Sequence, residues 1–202
     1  AAAAFLMLVL LFGGPWVTVQ STGAPEPQPA RTAQEQTDAP GADESSVLRV
    51  WNGTETVEMT MAAYLPGVVR GEMPATFEEE ALKAQAVAER TYIYYHLQRG
   101  GKANHPDADV CMDHTCCNAW TGAEQAAQKW GEQAEAYEAK IQEAVRATDG
   151  QVMLYNGQLI LAAFHSSSDG VTASCRDVWV QDLPYLASVA SPESGESVPN
   201  YY

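Results

Sequence analysis

One glutamate stands apart from the acidic residues around it. In the stretch "GEMPATFEEEALKAQAVAERTYIYYH", Glu78, Glu79 and Glu80 sit together where a helix is expected to begin, and Glu72 lies six residues upstream, just before Met73-Pro74. Negative charge in the first turn of a helix is favoured by the helix dipole, so the grouped carboxylates have an ordinary explanation. Glu72 does not. Val68, Val69, Met73 and Pro74 offer it an apolar wall, a setting that suits a general acid. Arg90, on the helix that follows, could orient a carboxylate, hold an anionic group of a substrate, or pair with Glu89.

A second constellation is rich in soft ligands. His105, Cys111 and Cys117 are spaced H-x5-C-x5-C, with Cys116 or His114 available as a fourth group. Thiolates and imidazole suit tetrahedral zinc, and ligands drawn from one short loop suggest a structural staple more than a catalytic metal. The same cysteines could instead form disulfides if the chain is exported, with Cys175 as one partner. A third group is His165-Ser166-Ser167-Ser168, in "AAFHSSSDG". Adjacent Ser and His at the end of a strand rarely aim at each other, and no G-x-S-x-G elbow is present. A loop that binds substrate hydroxyls, or a solvated turn, fits better than a nucleophile.

The elements that must carry these groups can be read from periodicity. "SVLRVWNGTETVEM" has two β-favouring runs about Asn52-Gly53, and "QVMLYNGQLILAAF" has two more about Asn156-Gly157. A helical piece containing Pro66 precedes Glu72. The spacing predicts a helix over 76–96, opened by a Thr76–Glu79 capping box and packed through Phe77, Ala81, Ala84, Ala88 and Tyr92. A further helical stretch over 123–147 has a break at Gly131. The expected class is α+β, with helices and antiparallel hairpins in one domain over residues 47–202.

Before that domain lie two segments of other character. Residues 1–20 carry no charge and are of a length that can cross a bilayer, so a transmembrane signal anchor is expected there, with a cleavable signal peptide as the alternative. Residues 21–46, rich in Pro, Ala, Gln and acidic side chains, are expected to be a flexible linker. The chain closes on "SVPNYY" with no evident end to the domain, and the C-terminal part is expected to be missing. The 202 residues hold 11 basic against 26 acidic side chains, a net charge of −15, which argues against nucleic acid as a partner. An uncharged glycan is compatible with it.

Three separated stretches carry a resemblance: "YLPGVVRGEMPATFEEEALKAQAVAERTY", "HPDADVCMDHTCC" and "AAFHSSSDGVTAS…DVW…PYLASV". In this order they resemble the stage II sporulation protein D family, whose domain is shared with amidase-enhancer proteins. The resemblance implies a lytic transglycosylase that cleaves the β-1,4 bond between N-acetylmuramic acid and N-acetylglucosamine in peptidoglycan strands stripped of their peptides. It implies Glu72 as the catalytic acid and Arg90 as a residue needed for activity; alongside the resemblance, Arg90, His165, Ser166 and Ser167 are the expected substrate contacts. It favours structural Zn²⁺ on His105, Cys111, Cys116 and Cys117, with His114 in reserve. It further implies a cell-wall amidase and a membrane scaffold protein of forespore engulfment as partners, and a single-pass anchor in the bacterial membrane with the domain outside. Departures from the family's pattern are Pro66, Asp169 and Ala187, the last standing where a basic residue is common. They leave open a second reading, a non-catalytic peptidoglycan-binding module that stimulates an amidase. Asp109, Asp169 and Asp177 are candidates for a second carboxylate.

Overall fold

The computed structural model describes residues 41–101, 104–105, 107–179 and 182–192. The expected anchor over 1–20 and most of the expected linker fall outside them. No helix among the described residues is long and apolar enough to cross a membrane. The linker prediction needs one correction at its end. Ala42–Ser45 form a helical turn, α1, and belong to the folded domain. The carboxylate of Asp149 accepts hydrogen bonds from the Ala42 and Asp43 N–H groups at 2.8 and 2.7 Å. Composition could not reveal this, because the segment is held by the Asp149 carboxylate and by an ion pair between its own buried Asp43 and Arg90, and not by apolar area.

The first hairpin forms as its alternation requires. In β1, Val47–Trp51, Leu48 and Val50 point inward and are fully buried. β2, Thr56–Thr60, runs antiparallel to it in the register Val47↔Thr60 to Trp51↔Thr56. The Asn52 carboxamide shapes the turn by accepting from the Thr54 and Glu55 N–H groups at 2.9 and 3.0 Å. A third strand, β3 (Val110–Cys111), joins the other edge of β1 in parallel, giving the order β2-β1-β3. A parallel neighbour needs a long crossover, and the two helices between β2 and β3 supply it. The class is therefore α+β as expected, but the sheet is mixed.

Helix α2, Met61–Glu72, starts at Thr60, whose hydroxyl accepts the Ala63 N–H at 3.2 Å. It continues through Pro66, which removes a single ladder donor, and ends with the Met73 N–H bonded to the Val69 carbonyl. Helix α3, Glu79–Leu97, differs from expectation at its start and in its face. Glu78 is the cap and makes no side-chain capping bond, so the Thr76–Glu79 box does not form. The buried face is Leu82, Gln85, Ala86, Glu89, Arg90, Thr91 and Ile93, whereas Phe77 is 48% exposed and Ala84 is exposed. Small residues recur at helical spacing on more than one face. The face that holds Leu82 and Ile93 removes more apolar area from water, and it carries Gln85, Glu89 and Arg90 inside with it.

Helices α4 (Ala123–Trp130) and α5 (Ala134–Ala147) are separated by a 3₁₀ turn at Gly131–Gln133, where Gly131 takes φ +58°. α5 packs on both α2 and α3. The core joins Leu48 and Val50 of the sheet to Leu65, Val68 and Val69 of α2, Leu82, Ala86 and Ile93 of α3, and Ile141, Ala144 and Val145 of α5. The second hairpin is present but short: β4 (Leu154–Tyr155) and β5 (Gln158–Leu159) pair about Asn156 and Gly157, both at positive φ, as a type I′ turn requires. A last helical turn, α6 (Cys175–Val178), follows the serine loop.

Candidate active site and metal-binding loop

The C-terminal end of α2 presents Glu72, and two glycines decide what lies beside it. Gly67 and Gly71 are one turn apart and leave a groove along α2. A Cβ on Gly71 would lie 2.5 Å from the Ala119 carbonyl oxygen, and one on Gly67 would run into the Trp120 indole. The segment 118–121 therefore lies directly on the helix backbone. Thr121 N–H donates to the Gly67 carbonyl at 2.9 Å, and Trp120 Nε1 donates to the Tyr64 carbonyl at 3.2 Å. Laid down this way, the segment aims the Ala119 N–H at Glu72 Oε1, at 2.6 Å. Glu72 is half-buried, so one oxygen is held while the residue stays open to solvent.

Arg70 braces the same end of the helix. Its guanidinium grips Glu138 of α5 through two bonds of 2.8 and 2.7 Å and donates to the Thr121 carbonyl at 3.0 Å. That bidentate contact holds the Glu138 carboxyl below the usual range. Lys140, also on α5, donates to the Ala75 and Phe77 carbonyls and fixes the turn that leads from Glu72 into α3.

Behind the segment sits a carboxyl the sequence reading passed over. Glu89 is fully buried; its Oε1 accepts from Gln85 Nε2 at 2.7 Å and its Oε2 from Asn118 Nδ2. Burial pushes Glu89 up to about 8, against the Gln85 hydrogen bond, with the charge of Glu72 adding to the rise. Asn118 precedes Ala119, so Glu72 and Glu89 grip neighbouring residues of one strand-like segment. The candidate second carboxylates are engaged elsewhere or exposed. Partial burial pushes Asp109 up, but the hydrogen bonds and charge of Arg49 outweigh this and hold it low. Asp177 accepts from Ser174 at 3.0 Å, and Asp169 is exposed. A glutamate among apolar positions on a helix face, three residues after Ala86 and beside Arg90, was the available signal for Glu89.

Arg90 is placed differently from its expected role at substrate. It is wholly buried and forms an ion pair with Asp43 of α1, Nη2 to Oδ2 2.7 Å. It also donates to the Val145 and Gln151 carbonyls at 3.3 and 3.2 Å. With its donors directed inward, Arg90 joins α1, α3 and the end of α5, and is a clasp within the domain instead of a substrate contact.

Three of the four expected metal ligands converge. Ligand atoms of His105, Cys111 and Cys116 all lie within 4.8 Å of one another. The Cys117 sulfur is 4.0 Å from that of Cys116 and accepts the Cys111 N–H at 3.4 Å. His114 is 78% exposed and faces Asp113. Among the described residues no cysteine is in a disulfide, so the disulfide alternative does not form here. The frame is the sheet: Cys111 pairs with Trp51 in β3–β1, and the His105 ring stacks on the Trp51 indole at 5.7 Å. Tyr64 of α2 donates to the Cys111 carbonyl at 2.8 Å. One nitrogen and two or three sulfurs at these separations fit zinc, with bonds of about 2.0 Å to nitrogen and 2.3 Å to sulfur.

The serine loop belongs to another part of the surface. A cavity of about 580 Å³ is lined by His165, Ser167, Ser168, Trp179 and Tyr185 among others, and neither Glu72 nor Arg90 reaches it. His165 Nδ1 lies 3.0 Å from the Ser167 carbonyl oxygen, and Ser166 is exposed and outside the cavity wall. Cys175 lines the same cavity as a buried thiol, its sulfur accepting the Leu183 N–H at 2.9 Å.

A family model described as "Stage II sporulation protein" (SpoIID) matches residues 52–155, which include Glu72, the zinc-ligand candidates and Glu89. The chain belongs to the stage II sporulation protein D family. It is similar to the "Stage II sporulation protein D" of Bacillus subtilis (strain 168), 38% identical over 138 residues, covering 68% of this chain and 40% of that protein. The "Stage II sporulation protein D" of Bacillus amyloliquefaciens is 37% identical over 139 residues, with the same coverage. The "Amidase enhancer" of B. subtilis is 37% identical over 122 residues, covering 60% of this chain and 14% of that one. This member of the family thus spans 40% of the length of the sporulation proteins it matches. The region matched by the family model stops before the His165 loop.

Proposed function

We propose that this domain is a peptidoglycan lytic transglycosylase that cleaves the β-1,4 bond between N-acetylmuramic acid and N-acetylglucosamine in peptide-stripped strands. The observation that carries this reading is the half-buried Glu72, with one carboxylate oxygen held by the Ala119 N–H and the residue open to solvent. In this reading, protonated Glu72 donates to the glycosidic oxygen as the bond to C1 breaks. The resulting carboxylate then takes the proton of the muramic acid 6-hydroxyl as that oxygen attacks C1. The product carries a 1,6-anhydro end, and no water is consumed. One carboxyl serves both steps, which relaxes the two-carboxylate requirement of ordinary glycosidases. The hydrogen bond from Ala119 stabilises the carboxylate formed in the first step.

In the same proposal, zinc on His105, Cys111 and Cys116, with Cys117 beside them, is structural. It would pin the loop between β3 and α4, and so the segment 118–121 that addresses Glu72. Its contribution is rigidity. A sporulation role at the membrane, with residues 1–20 as anchor and a cell-wall amidase and membrane scaffold as partners, completes the proposal. The test is to incubate the full chain with peptide-free glycan strands. Anhydro ends are expected from the wild type and not from Glu72→Gln, and reducing ends from the wild type would refute the transglycosylase step.

A second reading has its own support. The similarity to the amidase enhancer, together with a cavity that presents Trp179 and Tyr185 beside His165, favours a module that grips glycan and stimulates an amidase. Aromatic faces of this kind suit sugar rings. Glycan binding without cleavage by either protein would select this reading.

A further inference from the structure

Glu72 is held through a backbone N–H, and a backbone donor is only as well placed as the segment that carries it. Four contacts place this one. Thr121 and Trp120 tie the segment to α2 on the far side of Ala119, and Arg70 holds the Thr121 carbonyl there as well. On the near side, the contact nearest the donor is Asn118 to Glu89, and Cys117 before it bonds the Asp113 carbonyl through its N–H at 2.8 Å. Asn118 is 7% exposed and Glu89 0%. A buried carboxyl held by two side-chain amides, one of which adjoins the donor to Glu72, has no role in packing that leucine would not fill better.

We propose that Glu89 is a positioning residue for Glu72, using its buried carboxyl to hold Asn118 and so aim the Ala119 N–H at the Glu72 carboxylate. The inference rests on the reading of Glu72 as the acid and names what sets its geometry. Glu89 does not touch the substrate. The chain of contacts is Gln85 to Glu89 at 2.7 Å, Glu89 to Asn118, then one peptide unit, then Ala119 to Glu72 at 2.6 Å. The groups facing Glu89 are Glu72 and Tyr64 from α2, Gln85 from its own helix, and Asn118 from the loop. Both Glu89 oxygens act as acceptors, one toward Gln85 and one toward Asn118, so the device needs an acceptor at each position.

The experiment compares Glu89→Gln, Glu89→Leu and Asn118→Ala with wild type in the full chain. It reads hydrogen exchange at the Ala119 amide and the kcat and KM of turnover of peptide-free glycan strands. Glu89→Leu and Asn118→Ala should speed exchange at Ala119 at least tenfold, with the interiors of α2 and α3 unchanged. They should also lower kcat at least tenfold with KM within twofold. Glu89→Gln, which replaces one of the two acceptor oxygens by an NH₂ group facing a donor, should also speed exchange at Ala119 and lower kcat, by less than Glu89→Leu. Where Glu89→Leu does not fold, Asn118→Ala and Glu89→Gln decide. An Ala119 amide that stays protected in Asn118→Ala, or turnover unchanged in Glu89→Gln, overturns the proposal. Should Glu72→Gln retain full turnover, the acid reading falls instead, and the exchange result stands apart from it.

Discussion

Asp43 and Arg90 lie 47 residues apart and meet as a buried ion pair, bonded at 2.8, 3.0 and 2.7 Å. Neither partner is more than 4% exposed. The pair ties the turn before the first strand to the middle of α3, and it turns two residues with no shared motif into one structural unit.

Breaking that pair from one side leaves a buried charge uncompensated, which costs about 3–5 kcal/mol. Asp43→Ala should therefore lower the urea midpoint sharply at unchanged m-value, and Arg90→Ala should do the same. Any loss of activity in Arg90→Ala should follow the unfolded fraction. An Arg90→Ala protein that is fully folded yet inactive would restore Arg90 to the substrate.

Glu72→Gln keeps the shape of the side chain and removes the proton it would transfer. Turnover of bare glycan strands should drop by about 10²–10⁴-fold, the usual worth of a general acid–base group. Thermal stability should hardly change, because the residue is half-buried and its contact to Ala119 is local.

Glu89 makes stability depend on pH in a stated direction. Its folded value of about 8 lies above the ordinary 4.5, so between those limits the folded state binds more protons than the unfolded one. Stability from this group is complete below about pH 4.5 and is lost as pH rises to about 8. The size is on the order of a few kcal/mol. Denaturant midpoints measured from pH 4.5 to 8.5 should fall for wild type relative to Glu89→Gln. Glu138 acts in the opposite sense: held low by Arg70, it supports the fold above its ordinary range and loses that contribution on acidification.

Gly71→Ala tests the groove. The added Cβ would lie 2.5 Å from the Ala119 carbonyl oxygen, a backbone atom with little freedom to move. Overpacking of this kind costs about 1–3 kcal/mol. It should also displace the Ala119 N–H and reduce turnover more than the stability loss alone accounts for. Calorimetry and steady-state kinetics on the same preparation separate the two effects.

Metal analysis of protein purified under reducing conditions should find one zinc per chain. Chelation should lower the unfolding temperature, and Cys111→Ser should lower metal content. A protein with no zinc and with Cys111 in a disulfide would remove the structural-zinc proposal.

The sequence by itself determined the local elements and the isolation of Glu72. Alternating burial in Val47–Trp51, the Asn156-Gly157 turn and the break at Gly131 are set by neighbours in the chain, so periodicity and turn chemistry reveal them. That His105 and the cysteines of 111–117 fall together was visible for the same reason, since all come from one short stretch, although their spacing put Cys117 ahead of Cys116. Tertiary structure alone decided the rest. Which face of α3 is buried depended on competition for apolar area among several helices, and the winning face took Glu89 and Arg90 inside. The parallel seat of β3, the Asp43 clasp and the passage of Asn118–Thr121 over Gly67 and Gly71 join residues far apart in sequence. Polar contacts of that range leave no periodic trace, because a single buried hydrogen bond or ion pair depends on where the backbone passes and not on which residues come before and after it.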